Sequence, residues 1–179
     1  MAGKKSTAKT PIEKPSAAEK VVEKTTPIVP KDVDPTTIVT VKNGFNGRLV
    51  YISPRTHERY VWDEFGDEQE MELRELRNAK SSAKAFFENN WFMFEEEFAW
   101  VVTYLGLERY YKFAINLKDF DKIFAMSPDK IADVINGMSD GQKKSLSYRA
   151  RQLVSDGEVD SRKVISALEE ALGTELIER

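Results

Sequence analysis

The chain has 179 residues, of which 41% are hydrophobic and 32% are charged, and it contains no cysteine. Disulfides and thiolate metal sites are therefore excluded, and the length allows one substantial core with a smaller second one. The formal net charge of −3 gives no global attraction to nucleic acid or to an anionic membrane.

Residues 1–36 are predicted to form a flexible, disordered N-terminal arm. They are rich in Lys, Thr, Pro, Ala and Glu and include no aromatic residue, which is a composition typical of disorder. The prolines favour an extended backbone. The arm is therefore either a solvated tail or a segment that becomes ordered along a partner protein. In the second case Ile28, Val29 and Val33 are the expected partner-binding residues.

A β-rich module with an aromatic core is predicted for residues 37–105. β-Branched residues, period-two alternation and turn signals such as Asn43-Gly44 indicate five short strands. Tightly connected strands of this length favour a small five-stranded curled sheet or a barrel-like module. A helix over residues 73–88 is expected to bridge the fourth and fifth strands. The predicted strands span residues 37–42, 48–53, 58–62, 68–72 and 91–94.

The segment from Phe86 to Tyr104 contains eight of the nineteen aromatic residues. Burial of a Phe or Trp side chain removes about 150–250 Å² from water, so this segment is predicted to anchor the main core. Trp91 and Trp100 within it are also candidates for a surface that faces a partner, since aromatic residues are enriched at interfaces. The sequence leaves both interpretations, core and interface, open.

Residues 106–179 are predicted to form a helical subdomain. Apolar residues recur at helical spacing over residues 107–117, and three further helices follow, the last of which ends at Gly173. The first N–H groups of a helix have no partner within the helix. The starts of these three helices are marked by side chains that accept from such groups, or by a proline that has no N–H. The predicted starts are Ser127 with Pro128, Ser139 with Gln142 three residues later, and Asp160.

One segment of this subdomain is basic and compatible with phosphate contacts. It contains Lys143, Lys144, Arg149 and Arg151, with Tyr148 between them as an aromatic residue on which a base could stack. These cations only partly share one helix face, because neighbours on a helix surface are three or four residues apart. An ordinary solvated helix face is therefore the alternative to a nucleic-acid contact.

No catalytic constellation is recognisable in the sequence. His57 is the only histidine and lies in a predicted turn, and no phosphate-loop, dinucleotide-binding, zinc-protease or calcium-loop motif occurs. The carboxylates between Asp63 and Glu72 could ligate a hard cation, but a solvated or partner-facing acidic strip is the favoured interpretation. We therefore expect no enzyme activity, no catalytic or metal-binding residues and no cofactor.

Two segments of the sequence resemble small virion structural proteins of tailed bacteriophages that infect Gram-positive bacteria. The first, residues 41–94, reads VKNGFNGRLVYISPRTHERYVWDEFGDEQEMELRELRNAKSSAKAFFENNWFMF. The second, residues 138–173, reads MSDGQKKSLSYRARQLVSDGEVDSRKVISALEEALG. The resemblance covers about residues 37–179, and residues 1–36 are too generic in composition to match.

This resemblance implies a non-enzymatic virion protein that is made in the host cytoplasm and is present in many copies in the particle. There it is expected to bind other virion proteins, at the capsid or the head–tail connector region, without contact with a membrane. The resemblance assigns no functional residues. The alternative is a nucleic-acid-binding or packaging-associated module that uses the basic C-terminal helix. For either function we expect an α+β fold, with the arm, the β-rich module and the helical subdomain in this order.

Overall fold

A computed structural model describes residues 27–177, and the predictions made for residues 1–26 lie outside this range. The described residues have an α+β fold, as predicted, with two small antiparallel sheets and eight α-helices. The strands are β1 (Ile38–Asn43), β2 (Leu49–Ile52), β3 (Arg59–Trp62), β4 (Glu68–Glu72) and β5 (Phe92–Met93). The helices are α1 (Leu73–Ser82), α2 (Ala85–Glu88), α3 (Trp100–Tyr104), α4 (Glu108–Tyr111), α5 (Leu117–Phe120), α6 (Pro128–Gly137), α7 (Asp140–Ser155) and α8 (Arg162–Leu172).

The prediction of one five-stranded curled sheet or barrel-like module is wrong, because the strands of residues 27–177 form two separate sheets. In the first sheet β1 lies between β4 and β5, antiparallel to both, and the second sheet is the β2–β3 hairpin. Asp67 Oδ2 accepts hydrogen bonds from the N–H groups of Asp63 and Glu64, at 2.9 and 3.0 Å. This compact turn directs β4 onto β1. Between β3 and β4 there is no backbone pairing in the described residues. Their one hydrogen bond runs from the side-chain Nε2 of Gln69 to Val61 O, at 2.8 Å.

The first hydrophobic core is built from side chains of both sheets, α1 and the aromatic segment. The Phe92 side chain is fully buried at its centre, and its ring centroid lies within 5.8 Å of four other aromatic rings. The fully buried Trp62 is one of these, and its Nε1 donates to Val41 O at 2.9 Å. The aromatic segment therefore anchors this core, as predicted.

The second hydrophobic core is formed by α6, α7, α8 and the segment before them. Ser139 caps α7 as predicted, since its Oγ accepts a hydrogen bond from Gln142 N at 3.2 Å. The cap predicted at Asp160 is wrong, because α8 begins at Arg162 and Ser161, with an extended backbone, occupies the cap position. The main buried side chains of this core are Phe120, Ile123, Ile131, Ile135, Leu146, Ala150 and Leu168.

Two predicted helices are interrupted. The helix predicted over residues 73–88 consists of α1 and α2, and the helix predicted over residues 107–117 ends early, so that five residues separate α4 from α5. In this gap, Ile115 N donates to Gln142 Oε1 at 3.2 Å, and Ile115 O accepts from Gln142 Nε2 at 3.0 Å. A side chain of α7 therefore satisfies the Ile115 backbone in place of helical hydrogen bonds.

Helix α7 joins the two cores. Ser145 Oγ donates to Gly44 O at 3.0 Å and accepts from Asn46 N at 3.2 Å, so α7 is bonded to the turn that follows β1. Gly141 lies against Asn89, and a Cβ atom at Gly141 would be 2.2 Å from Asn89 O. The first turn of α7 therefore approaches the turn after α2 more closely than any side chain at this position allows.

Candidate functional site

The structure gathers four cationic side chains around one open cleft with a volume of about 810 Å³. Three of the cations lie on α1, and the fourth lies in the turn between β2 and β3. A tyrosine from the end of α3 forms part of the wall. We call this site the cationic cleft and define it by Arg55, Arg74, Arg77, Lys80 and Tyr104.

The residue spacing in α1 produces this arrangement. Its apolar side chains recur every three residues and are fully buried on the core side. Its cations follow one position later, at the same interval, and are exposed. Because residues three apart are neighbours on a helix surface, the cations form one row. The buried residues are Leu73, Leu76 and Ala79, and the exposed cations are Arg74, Arg77 and Lys80.

A polar network fastens Arg55 to α1. Arg55 Nη1 donates to Asn78 Oδ1 at 3.4 Å, and Asn78 Nδ2 donates to Glu75 Oε2 at 3.3 Å. The buried Glu75 carboxylate also accepts from the Tyr51 hydroxyl, which is 2.6 Å from Oε1. Burial, which is the larger cause, and this hydrogen bond raise the pKa of Tyr51 well above its usual range. The hydroxyl therefore stays protonated and continues to donate.

Replacing Tyr51 with phenylalanine is expected to lower the free energy of unfolding by about 1–3 kcal/mol, because Glu75 Oε1 would stay buried without its donor. Urea denaturation followed by circular dichroism measures this loss. Tyr148→Phe is the matched control, since Tyr148 is 44% exposed. An unchanged denaturation midpoint for Tyr51→Phe would show that the Glu75 carboxylate does not need the hydroxyl.

The cations of the cleft differ in how far they are already engaged. Arg74 forms an ion pair with Glu72, and Lys80 Nζ donates to the carbonyl oxygen of Leu105. Arg77 forms no salt bridge and no side-chain hydrogen bond within residues 27–177. An exposed guanidinium donates planar pairs of hydrogen bonds to phosphate or carboxylate oxygens. The cleft therefore has the chemistry of an anion-binding site.

The cationic cleft was not predicted from the sequence. The three-residue interval from Arg74 to Lys80, within the predicted helix, is a signal that could have found the part on α1. Arg55 has no such signal, because its contact with Asn78 joins residues 23 positions apart.

The basic residues predicted as alternative nucleic-acid contacts all lie on α7, but their surroundings differ. Arg149 Nε and Nη2 donate to the Asp121 carboxylate at 3.0 and 2.7 Å, and Arg151 Nη2 donates to a threonine hydroxyl after α8 at 2.8 Å. Both arginines thus hold α7 against other segments of the helical subdomain. Lys143 and Lys144 form no salt bridge with any residue of the described range.

Trp91 and Trp100, the candidate interface residues of the aromatic segment, are both partly buried. The Trp91 ring makes edge-to-face contacts with Phe45 and Phe86, with centroid distances of 5.7 and 5.5 Å. Its Nε1 is buried without an acceptor among the described residues. Trp100 packs edge-on against Tyr104, at 6.0 Å. Trp91 therefore lies at the edge of the first core, and Trp100 lies next to the cationic cleft.

The candidate partner-binding residues of the arm lie at the start of the described range. Ile28 is 92% exposed, whereas Val29 is partly buried and Val33 packs against the first core. The carbonyl groups of Pro35 and Thr37 accept hydrogen bonds from the first two N–H groups of α1, at 2.8 and 2.9 Å. Such N–H groups have no partner within their own helix. From Val33 onward the chain therefore packs against the first core and is hydrogen-bonded to α1, while Ile28 faces solvent.

The remaining residues considered from the sequence lie on the surface. His57 is exposed in the β2–β3 turn, where its φ of 60° is a left-handed conformation. In the acidic segment, Asp63 pairs with Arg48 at 3.3 Å, and Glu68 pairs with Lys42 at 2.7 Å. Among residues 27–177, no group of three or more His, Cys, Asp or Glu side chains is arranged to hold a metal ion. The acidic segment is therefore an exposed, partly paired surface.

The fold defines an α+β protein in which a helical C-terminal part follows two small antiparallel sheets. Comparisons of the chain with protein-family models, curated proteins and solved structures give no match. No helix in the described range combines the length and the apolar character needed to cross a bilayer.

Proposed function

We propose that this chain is a non-enzymatic structural protein of a tailed-bacteriophage particle. In this proposal the protein is made in the host cytoplasm, is present in many copies, and binds other particle proteins at the capsid or the head–tail connector region. The resemblance of residues 41–94 and 138–173 to virion structural proteins supports this assignment. The observation that carries the binding role is the exposure of Ile28 on a segment that is fastened to the body at Val33.

An exposed isoleucine on an anchored segment favours binding to another protein. Burial of the Ile28 side chain would contribute about 1.5–3 kcal/mol. Pro27 and Pro30 flank Ile28 and Val29, and proline fixes its own φ near −65°. The segment therefore loses less conformational entropy on binding than a free coil does. In an extended conformation, an apolar segment of this kind fits an apolar groove of a partner or the edge of its sheet.

Replacing Ile28 with aspartate is expected to reduce incorporation of the protein into particles by about tenfold. The reason is that the side chain at this position would no longer bury apolar area against the partner protein. The melting temperature of the isolated protein should not change, since Ile28 contacts little of the body. Mass spectrometry of purified particles measures the incorporation. Deleting residues 1–32 tests the whole segment and retains Val33, which packs against the first core.

Ile177→Asp is the matched control for this experiment. Ile177 is also an exposed isoleucine, at 43%, but lies at the other end of the described chain. Normal incorporation of the Ile28→Asp protein would contradict the role of this segment in partner binding. Absence of the unaltered protein from purified particles would contradict the virion assignment itself.

A further inference from the structure

We propose that the cationic cleft binds the phosphate backbone of single-stranded nucleic acid. The cleft is a different site from Ile28 and from the basic residues of α7, and the inference does not depend on the proposed function. Four cations line the cleft, and within residues 27–177 no acidic residue lines it. This excess is local, because Asp and Glu outnumber Lys and Arg in the whole chain by 30 to 27.

The charge pattern of α1 opposes the stability of the protein when no anion is bound. Arg77 is three residues from both Arg74 and Lys80, and like charges at such an interval repel each other on a helix surface. Arg74 also lies in the first turn, where the helix dipole disfavours a positive charge. Glu72 pairs with Arg74, but Arg77 and Lys80 have no carboxylate partner within residues 27–177. A polyanion bound in the cleft would relieve this repulsion.

The row of cations fits a polymer of anions better than a single small anion. With a rise of 1.5 Å per residue, the helix from Arg74 to Lys80 spans about 9 Å along its axis. Arg55 reaches the same cleft from the hairpin turn. Long side chains spread over this distance can contact successive phosphates of one strand, and each contact releases a condensed counterion.

Tyr104 favours nucleic acid over an acidic protein segment. Tyr104 lines the cleft, and its ring packs edge-on against that of Trp100, with a centroid distance of 6.0 Å. Bases of a single strand stack on such aromatic rings and on planar guanidinium groups. Paired bases of a duplex are not free to do so, and a carboxylate side chain gains nothing from a ring face. A single strand therefore uses both the charges and the ring.

Fluorescence anisotropy of a labelled oligothymidylate, titrated with the full chain, tests the inference. Binding is expected at low salt, and the logarithm of the binding constant should fall with the logarithm of the salt concentration by about 0.7 per phosphate contact. Arg77→Glu is expected to weaken binding by about tenfold and to reduce this slope by about 0.7. Tyr104→Leu should weaken binding and leave the slope unchanged, since a stacked base adds no phosphate contact.

The Arg77→Glu protein is expected to fold normally. Its new carboxylate would lie three residues from both Arg74 and Lys80, so repulsion is replaced by attraction and the melting temperature should equal or exceed that of the parent. Lys130→Glu is the matched control, because Lys130 is exposed on α6 and the substitution changes the net charge by the same amount.

Several results would overturn the inference. One is the absence of binding to oligothymidylate at low salt, and another is an equal loss of affinity for Arg77→Glu and Lys130→Glu. Binding of a DNA duplex or of polyglutamate that equals oligothymidylate binding, with the same dependence on Arg77, would overturn the assignment to single strands. A larger loss for Lys144→Glu than for Arg77→Glu would place the contact on α7 instead.

Discussion

Replacement of Phe92 by alanine is expected to lower the free energy of unfolding by about 3–5 kcal/mol. The Phe92 side chain is fully buried, and its ring contacts those of Tyr51, Trp62, Phe86 and Phe87. Alanine would leave a cavity where these rings meet and would remove aromatic pairs that contribute about 0.5–1.5 kcal/mol each. Because whole domains are stable by about 5–15 kcal/mol, this loss is a large share of the total.

Urea denaturation, followed by tryptophan fluorescence and circular dichroism, measures the effect. Phe113→Ala is the matched control, because Phe113 is 59% exposed and its removal should shift the midpoint little. Phe98→Ala should fall between the two, since Phe98 is only partly buried against the first core. A Phe92→Ala protein with the denaturation midpoint of the parent would show that the aromatic cluster does not hold the fold together.

Replacement of Gly141 by alanine is expected to destabilise the protein by about 1–3 kcal/mol. The same change at an exposed helix position would stabilise a protein by about 1 kcal/mol. A loss of stability in the Gly141→Ala protein would therefore show that α7 is closely packed at this position. The added Cβ would lie 2.2 Å from Asn89 O and 2.5 Å from Asn89 Cβ. Rotation of a side chain does not relieve a clash with the backbone. Helix α7 would have to move away from Asn89, which would strain the hydrogen bonds of Ser145 to Gly44 and Asn46.

Gly137→Ala, at the end of α6, is the matched comparison. The three heavy atoms nearest to its added Cβ belong to Phe113, at 3.3–3.4 Å. A shift of a few tenths of an ångström in the segment between α4 and α5, where the exposed Phe113 lies, relieves this contact. Calorimetry should therefore show a lower melting temperature for Gly141→Ala and little change for Gly137→Ala. Equal melting temperatures for the two variants would contradict the close packing of α7 against Asn89.

Several elements of this protein could be predicted because their causes are local in sequence. Ser139 and Gln142 mark the start of α7 through a hydrogen bond that spans three residues, and Gly173 ends α8 with a φ of 63° that glycine adopts without strain. The concentration of aromatic residues between Phe86 and Tyr104 likewise predicts the first core, since burial of such side chains removes a large apolar area from water. For the candidate site, the interval from Arg74 to Lys80 carried the only readable signal.

What the sequence by itself determined is therefore the start of α7, the end of α8 and which faces are apolar, because caps and periodic patterns act within a few residues. Only the tertiary structure decided which faces meet. The alternating pattern of β4 is compatible with a neighbouring strand at either of its edges. The turn held by Asp67 places β4 beside β1. The Gln142 side chain interrupts a helical pattern 27 residues earlier. Arg55 joins the cationic cleft through Asn78, because a periodic pattern assigns a side chain to a face but does not specify the distant residue that it contacts.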